Sequence, residues 1–473
     1  MNKLFAASLL AVVVVPLQAK VTLNSMVGDN MVLQQESKAR LWGNASASGT
    51  IEIRPSWSDE VTVVKTGKDG RWLGTVDTPS GNFDTHSITF IDNSDRDTVT
   101  INNVLIGEVW LASGQSNMQM PLKGYEPCPV NGGYDEVAEA SKRAGAIRFL
   151  TVPLTQSYHP LDTVAASWVV PSPQTAPEFS AVAWHFAKRV SDVLGVPVGI
   201  VSAAYGGARV ESWLPEEIVK DYTDISLDRD SIEGMVHWMR PVVMYNAMFM
   251  PVKDYTYRGI LWYQGCSNVD SWQTYASRLA TMVDHWREMI GEGDIPFYAV
   301  EIAPFDYGND RSPYLREAQW DAIGMIPNSG MVATNDMAMP YERHNIHPAE
   351  KRTIGNRLGN LALNRTYGHT QFPVDAPRFK SLEQDGNRLK VVFEAPRNGL
   401  CRNYDIKGFE IAGEDKVFYP AEVVGIDDQK AFLILASPEV EAPRHVRYCF
   451  HDFQLGNMCG ADFLPLIPFR SDR

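Results

Sequence analysis

The chain has 473 residues, of which 44% are hydrophobic and 21% are charged, and its formal net charge is −14 at pH 7. This composition is typical of a globular protein, and the length is sufficient for two or three domains. The negative charge and the lack of a basic run argue against nucleic acid or an anionic membrane surface as the partner.

Residues 1–19 are predicted to be a signal peptide. Lys3 supplies a positive start, residues 4–16 form an apolar stretch, and the Leu-Gln-Ala sequence at 17–19 suits a cleavage site. The apolar stretch is shorter than the roughly 20 residues that a membrane-spanning helix needs. We therefore expect an exported protein, periplasmic or secreted, with no membrane span and a mature chain that starts near Lys20.

Residues 20–106 predict a first β-module. Short alternating runs at 39–43, 50–54, 61–64 and 87–91 are separated by turns rich in Gly, Asn, Asp and Ser, a spacing that is typical of a β-sandwich. No ionisable cluster stands out in it, so a structural or sugar-docking role is favoured. The alternation returns in residues 376–473, which predict a second, smaller sandwich-like β-module.

Residues 107–375 predict an α/β domain between these modules. The predicted strands are 109–112, 147–152, 196–203, 257–263, 296–302 and 331–334, and the predicted helices are 137–144, 181–194, 272–290, 315–325 and 349–367. Near-continuous apolar strands between helices predict a parallel sheet that is covered on both faces. Sites in such sheets lie at the carboxyl ends of the strands.

The first of these strand ends carries a candidate nucleophile, Ser116. The apolar run at 109–112 is followed by small and polar residues, and residues 117–122 could begin a helix. A serine in a strand–turn–helix segment can hold its hydroxyl clear of the sheet. A serine N-cap is the commoner role for one such motif taken alone.

A nucleophilic serine needs a base, and His347 is the best placed of the 10 histidines. It follows the last predicted strand, and Pro348 after it suits the first position of a helix. Its position fits a catalytic base and an N-terminal cap equally well.

Two more turns follow predicted strands. Gly206 and Gly207 could bring main-chain N–H groups close to a ligand oxygen. Gln264, between an apolar strand and Gly265, could donate a side-chain hydrogen bond to an oxyanion. Each turn alone could equally be structural, as could Arg209 after the glycine pair, which could also shape a substrate pocket.

The four turns in this order resemble those of the SGNH hydrolases, specifically the sialate O-acetylesterase-like carbohydrate esterases. The matching stretches are Gly-Gln-Ser-Asn-Met at 114–118, Gly-Gly at 206–207, Trp-Tyr-Gln-Gly at 262–265 and Ile-His-Pro at 346–348. The resemblance covers nearly the whole mature chain, and it implies a flavodoxin-like α/β hydrolase domain.

The resemblance also implies the catalytic roles. Ser116 matches the nucleophile and His347 the general base, while the Ser116 N–H, Gly207 and Gln264 match the oxyanion hole. The positions three and two residues before the histidine, where related enzymes often carry Asp, hold His344 and Asn345. The base is therefore oriented by another group, such as Asp336 or main-chain carbonyls, or the enzyme works as a Ser–His dyad.

A further difference from the related enzymes concerns a cysteine. Cys266 stands where relatives commonly have Glu, and a disulfide from Cys266 to Cys128 would tie the nucleophile segment to the Gln264 turn. The chain has five cysteines, so at least one thiol is left over or pairs with another molecule.

The predicted function is hydrolysis of acetyl esters on a carbohydrate, such as 9-O-acetyl sialic acid, through a serine acetyl-enzyme. No cofactor or metal is implied, since no zinc-type Cys or His spacing is present. Three alternatives stay open: an esterase of acetylxylan or another plant polysaccharide, a general SGNH lipase or thioesterase, and a non-catalytic glycan-binding protein. The sequence does not report an oligomeric state.

Overall fold

The computed structural model describes residues 21–395, 399–401 and 405–473. The predicted signal peptide, residues 1–19, lies outside the described residues. In these residues, no helix is both long and apolar enough to cross a membrane.

The N-terminal region is built from strands that pair as two sheets. Its strands are β1 (Thr22–Leu23), β2 (Val32–Gln34), β3 (Lys38–Asn44), β4 (Thr50–Pro55), β5 (Thr62–Lys65), β6 (Arg71–Asp77), β7 (Asn82–Asp92) and β8 (Thr98–Gly114). One sheet has the order β1-β3-β6, and in the other β7 pairs with β4 and β8. Alternate residues of β4 and β6 are buried, which is the pattern of a sheet with one face on a core.

The central region alternates strands with helices. Its strands are β9 (Ile147–Thr151), β10 (Trp168–Val169), β11 (Val198–Ala204), β12 (Gly259–Tyr263), β13 (Phe297–Val300) and β14 (Ser329–Val332). Its helices are α1 (Ser116–Gln119), α2 (Gly133–Glu139), α3 (Ala181–Leu194), α4 (Glu216–Val219), α5 (Arg229–Glu233), α6 (Trp272–Ile290), α7 (Ser312–Met325) and α8 (Arg352–Arg365).

The central sheet has the order β10-β9-β11-β8-β12-β13-β14. All of its neighbouring strands are parallel except β10, which runs antiparallel to β9 at one edge. The predicted parallel sheet is thus present with one antiparallel edge strand. Because the strands are parallel, the turns that follow β8, β11, β12 and β14 lie at the same edge.

Helices cover both faces of this sheet. On one face, α3 packs against α8, where Gly355 lets the two backbones approach so closely that a Cβ would lie 2.5 Å from the Val182 carbonyl oxygen. On the other face, α6 packs against α7 and buries Leu279, Met282, Val283 and Trp286 at helical spacing. The apolar periodicity of the sequence therefore placed these helices correctly.

Strand β8 belongs to two sheets at once. Its first half pairs with β7, and its second half pairs with β11 and β12 in the central sheet. The domain boundary predicted at 106/107 lies inside this strand. The first β-module and the α/β region are therefore joined by continuous backbone hydrogen bonding rather than by a linker.

The C-terminal region forms two four-stranded sheets around its own core. Its strands are β15 (Arg378–Asp385), β16 (Arg388–Glu394), β17 (Phe409–Ala412), β18 (Phe418–Pro420), β19 (Glu422–Asp427), β20 (Phe432–Ala436), β21 (His445–Tyr448) and β22 (Phe469–Arg470). The sheet orders are β15-β16-β20-β19 and β18-β17-β21-β22. Buried side chains from both sheets form one cluster, as in a β-sandwich.

The predicted disulfide between Cys128 and Cys266 is wrong for this structure, in which all five cysteines are free thiols. The Cys128 thiol instead donates to the Asn345 side-chain oxygen at 3.2 Å. Burial raises the pKa of the Cys266 thiol. Both cysteines lie close enough to Lys351 to influence its pKa.

Polar contacts join the C-terminal region to the central region. The buried Asp452 carboxylate accepts main-chain N–H bonds from Asn309, Asp310 and Ser312 at 2.9–3.1 Å. The imidazole of His451 lies between Glu410, at 2.9 Å, and Asp310, at 3.0 Å. Hydrogen bonds to Glu410 and Asp310 raise the pKa of His451 to about 9.

The docking of the C-terminal region should weaken in alkaline solution through His451. Because the pKa of His451 is about 9 in the folded chain and about 6.5 when unfolded, its stabilising effect is complete below pH 6.5. The effect is then lost as the pH rises through 9. Melting temperatures measured from pH 6 to 9.5 should therefore fall less steeply for His451→Gln than for the wild type.

A matched control is His159→Gln, because His159 lies in an exposed loop of the central region. Its pH dependence should equal that of the wild type. Parallel melting curves for His451→Gln and the wild type over this range would contradict the assigned role of His451.

Candidate active site

Three turns converge on the segment that follows β8, and alternate side chains of that segment hold them. The Gln115 side-chain oxygen accepts the Gly265 N–H at 2.9 Å, and that of Gln119 accepts the Gly206 N–H at 2.7 Å. The Asn117 amide donates to the Ile346 carbonyl oxygen at 2.9 Å. The turns after β11 and β12 and the loop after β14 are thus all fixed to one five-residue segment.

Ser116 lies in the middle of this segment and is half-buried between the buried Gln115 and Asn117. The segment turns sharply at Gly114, where φ is +132° and a Cβ would overlap the Tyr263 carbonyl. Only one helical turn follows, α1, which is shorter than the predicted helix from residue 117. Among residues 115–118, Ser116 alone keeps part of its surface open.

The glycine pair lies directly beside Ser116. A Cβ on Gly206 would stand 3.6 Å from the Cβ of Ser116. Gly207 has a φ of +78°, and a side chain there would overlap the indole of Trp238. In the described part of the chain, no hydrogen bond takes up the main-chain N–H of Ser116 or of Gly207. Both groups are therefore free to donate to a ligand oxygen.

Gln264 directly follows β12, and its side-chain amide donates its hydrogen bonds within the protein. Its side chain is 0% exposed, and its amide nitrogen donates to the Ala208 carbonyl oxygen at 3.0 Å and to the Asn268 side-chain oxygen at 2.8 Å. Both of its N–H bonds are consumed, so the amide has none left for an oxyanion. The geometry does not fit the predicted role of Gln264 as a direct oxyanion donor.

A buried polar network continues from Gln264. Asn268 accepts the Val210 N–H and donates to both oxygens of Glu211, which pairs with Arg278 at 2.6 Å. Such fully satisfied networks fix the geometry of the segments they join. Here they join the turn after β12 to the chain that follows Gly207.

His347 lies over the nucleophile segment with its ring Nε2 buried and without a hydrogen-bond partner among the described residues. The Tyr125 ring meets the imidazole edge-on at a centroid distance of 5.3 Å, and the Tyr125 hydroxyl donates to the Ser116 carbonyl oxygen at 3.2 Å. Burial, and then the charge of Lys351, lower the pKa of His347 to about 4. The ring is thus neutral at pH 7, as a proton acceptor must be.

The structure orients His347 without a carboxylate. Both oxygens of Asp336 bind Arg357, at 2.8 and 2.6 Å, and no hydrogen bond joins Asp336 to His347 in the described residues. Asp336 is therefore not the acid of a triad here. The Asn345 side chain instead accepts the main-chain N–H of His347 at 3.0 Å.

Lys351 was missed by sequence reasoning. Its ammonium nitrogen lies 2.8 Å from the Asn117 side-chain oxygen and 2.6 Å from the Pro348 carbonyl oxygen, and the residue is 0% exposed. Burial lowers the pKa of Lys351 to about 7. The available signal was its place four residues after His347, directly before α8 begins at Arg352, but a lysine at the start of a helix is usually exposed.

Exposed aromatic residues lie against Gly207 and in the loop that leads to His347. Trp238, which covers Gly207, is 40% exposed, and the His237 ring stands against it at a centroid distance of 4.7 Å. Tyr341, in the loop that leads to His347, is 83% exposed. Arg209 donates through Nε to the Ser267 carbonyl oxygen at 3.1 Å, and no carboxylate pairs with it in the described residues.

Comparisons with known proteins identify the family of the chain. A family model described as "Carbohydrate esterase, sialic acid-specific acetylesterase" matches residues 106–364. The chain is 27% identical to human sialate O-acetylesterase over 399 residues, which are 76% of this chain and 73% of the human protein. It is 28% identical to the rat sialate O-acetylesterase over 453 residues, which are 82% of this chain and 81% of the rat protein.

A solved structure extends the likeness to the whole fold. A carbohydrate acetylesterase from Xanthomonas citri superposes with a TM-score of 0.84 and 29% sequence identity, covering 96% of this chain and 99% of that chain. The likeness therefore includes the β-rich regions on both sides of the central sheet. Because the family model spans more than half of the sequence, the chain belongs to the sialic acid-specific acetylesterase family of carbohydrate esterases.

Proposed function

We propose that the chain is a carbohydrate O-acetylesterase that works through an acetyl-serine intermediate on Ser116. The observation that carries the proposal is a half-buried serine between the turns that Gln115 and Gln119 fix, together with His347, whose loop is bound to Asn117 and whose Nε2 has no hydrogen-bond partner among the described residues. The sialate O-acetylesterases and the carbohydrate acetylesterase that the chain resembles support the substrate class.

In the proposed reaction, the Ser116 hydroxyl attacks the acetyl carbonyl carbon while His347 accepts its proton. The tetrahedral intermediate collapses, and His347 returns the proton to the departing sugar oxygen. Water then attacks the acetyl-serine, with His347 again accepting a proton, and acetate leaves. The unoccupied hydrogen-bonding position of His347 Nε2 suits both proton transfers.

The oxyanion would be bound by main-chain donors, the N–H groups of Ser116 and Gly207. Their positions are fixed by the hydrogen bonds of Gln115 and Gln119 to neighbouring turns. Donors held in place before the reaction stabilise the developing charge without reorganising. Gln264 would contribute indirectly, because it holds the Ala208 carbonyl next to Gly207.

The proposed fold assignment is a flavodoxin-like SGNH hydrolase domain with a Ser–His dyad. Its support is the strand order, since β11-β8-β12-β13-β14 follows the order 2-1-3-4-5 that is typical of flavodoxin-like sheets. In this proposal β9 and β10 extend the sheet beyond β11. We also propose export to the periplasm or medium, on the basis of residues 1–19.

We propose that Arg209 and Trp238 favour two different substrates. An acetylated sialate carries a carboxylate, which the unpaired charge of Arg209 would bind. An acetylated xylan or another neutral glycan would instead stack on the exposed face of Trp238. The guanidinium of Arg209 lies between the turns after β11 and β12, so we propose the sialate as the first substrate and the neutral glycan as the second.

Ser116→Ala should abolish acetate release from a panel of acetylated sialosides, xylans and pectins. Loss of the nucleophile costs roughly a millionfold in a serine protease, so the residual rate should be below detection. The same variant should still bind its substrate in a calorimetric titration. Wild-type acetate release by Ser116→Ala would contradict the serine mechanism, and binding without acetate release by the wild type would favour the glycan-binding alternative.

Gln264→Leu should lower both the stability and the rate. It leaves the buried Ala208 carbonyl without its side-chain donor and removes one of the two donors to the Asn268 oxygen, which costs about 1–3 kcal/mol in the free energy of unfolding. The loosened Gly207 turn should lower kcat. Chemical denaturation and steady-state kinetics test this: a loss of roughly a hundred- to a thousandfold in kcat at unchanged stability would instead assign Gln264 as a direct oxyanion donor.

Arg209→Gln should separate the two substrates. A charge-assisted hydrogen bond is worth about 1.5–3 kcal/mol, so kcat/KM for an acetylated sialoside should fall roughly 10- to 100-fold, mainly through KM. The kcat/KM for acetylated xylan should be unchanged. Trp238→Ala is the matched variant and should affect xylan more; equal losses of both substrates in Arg209→Gln would contradict a carboxylate-binding role.

A further inference from the structure

We propose that Lys351 and Asn117 form a clamp that positions His347 over Ser116 in place of the carboxylate of a triad. In this role Lys351 is a positioning residue, since it touches the histidine loop and not the substrate. The inference rests on the proposed function, because it assigns a purpose to His347 that depends on its being the base.

The clamp holds the peptide chain on both sides of His347. Asn117 donates to the Ile346 carbonyl oxygen at 2.9 Å, and Lys351 donates to the Pro348 carbonyl oxygen at 2.6 Å. The two side chains are themselves joined at 2.8 Å. Because Asn117 directly follows Ser116, the carbonyls that flank the base are tied to the neighbour of the nucleophile.

Stability alone explains Lys351 poorly. A fully buried ammonium is costly unless it is paired, and both of its hydrogen-bond acceptors are uncharged. The Glu342 carboxylate lies near Lys351, but its two oxygens accept the main-chain N–H groups of Met339 and Ala349, both at 2.8 Å. An apolar side chain of the same length would fill the space at less cost, so the amino group is retained here for its hydrogen bonds.

The neutral amine matches the site better than the ammonium. An amine has two N–H bonds, and the structure supplies two acceptors, the Asn117 oxygen and the Pro348 carbonyl. The third N–H of an ammonium has no acceptor among the described residues. Burial correspondingly brings the pKa of Lys351 down to about 7, within reach of a neutral amine at physiological pH.

The charged and titratable groups around Lys351 come from three segments. They are Glu342 and His347 in the loop after β14, Glu350 next to Lys351, Cys266 after β12 and Cys128 after α1. The carboxylates and thiols oppose the effect of burial on the pKa of Lys351. His347 is the one of these groups that gains positive charge during the proposed reaction.

A pH effect follows from this proximity. When Lys351 is protonated, its charge opposes the imidazolium that forms at His347 in the transition state. The rate should therefore rise as Lys351 loses its proton near pH 7, in a step distinct from the titration of His347 near pH 4. Since the two sites interact, both apparent pKa values belong to the pair.

Lys351→Gln and Lys351→Met test the clamp together. The glutamine keeps uncharged N–H donors, so kcat at pH 8 should stay within about threefold of the wild type while the step near pH 7 disappears. The methionine loses the donors as well, so kcat should fall roughly 10- to 100-fold, the usual effect of a misplaced catalytic group. KM should change less than about twofold in both. Lys142→Gln, at an exposed ion pair with Glu139, should keep the wild-type profile.

A second measurement does not depend on turnover. In a Ser116→Ala background, proton NMR titration of His347 should give a higher pKa when Lys351→Gln is added, because a neighbouring positive charge is removed. An unchanged His347 pKa, or a step near pH 7 that persists in Lys351→Gln, would overturn the clamp. If Ser116→Ala retained acetate release, the serine mechanism itself would be wrong. That result is distinct from failure of the clamp, which is judged from the pKa of His347 and the pH profile of Lys351→Gln.

Discussion

The candidate site depends on the alternation of side chains in one short segment. Gln115, Asn117 and Gln119 point to three different turns, and each satisfies a main-chain group that would otherwise be buried and unpaired. Such unpaired groups are costly, so the turns and the segment hold one another in position. Ser116 lies among these three residues, and it is the one residue of 115–118 that stays partly exposed.

The same segment explains how a histidine can be held without an acid. In a triad, a carboxylate binds one ring nitrogen and fixes the orientation of the imidazole. Here the contacts fall on the peptide groups around His347: Asn345 holds its N–H, and Asn117 and Lys351 hold the two flanking carbonyls. Tyr125 packs against the ring itself. The contacts fall on the backbone and on one ring face, and partial burial together with the charge of Lys351 keeps the pKa of His347 low.

The surrounding β-regions support the α/β region in different ways. The N-terminal sheet shares strand β8 with the central sheet, so it fixes the strand that delivers Ser116. The C-terminal region is joined through side chains, with Asp452 and His451 contacting the loop before α7. The first junction includes the continuous backbone hydrogen bonding of β8, whereas the second includes a histidine between two carboxylates.

The sequence by itself determined the alternation of strands and helices, the two β-rich regions and the turns that carry Ser116, Gly207 and His347, because apolar periodicity and glycine placement are local properties. The tertiary structure decided what each side chain contacts. The Gln264 amide was expected to be free, but Ala208 and Asn268 accept both of its N–H bonds. Asp336 was one of several candidates for orienting His347, but its carboxylate binds Arg357. The sequence around Lys351 did not predict its burial, because its contact with Asn117 joins residues that are 234 positions apart. Hydrogen-bond partners depend on which distant segments the fold brings together. The apolar periodicity of the sequence carries no information about those contacts.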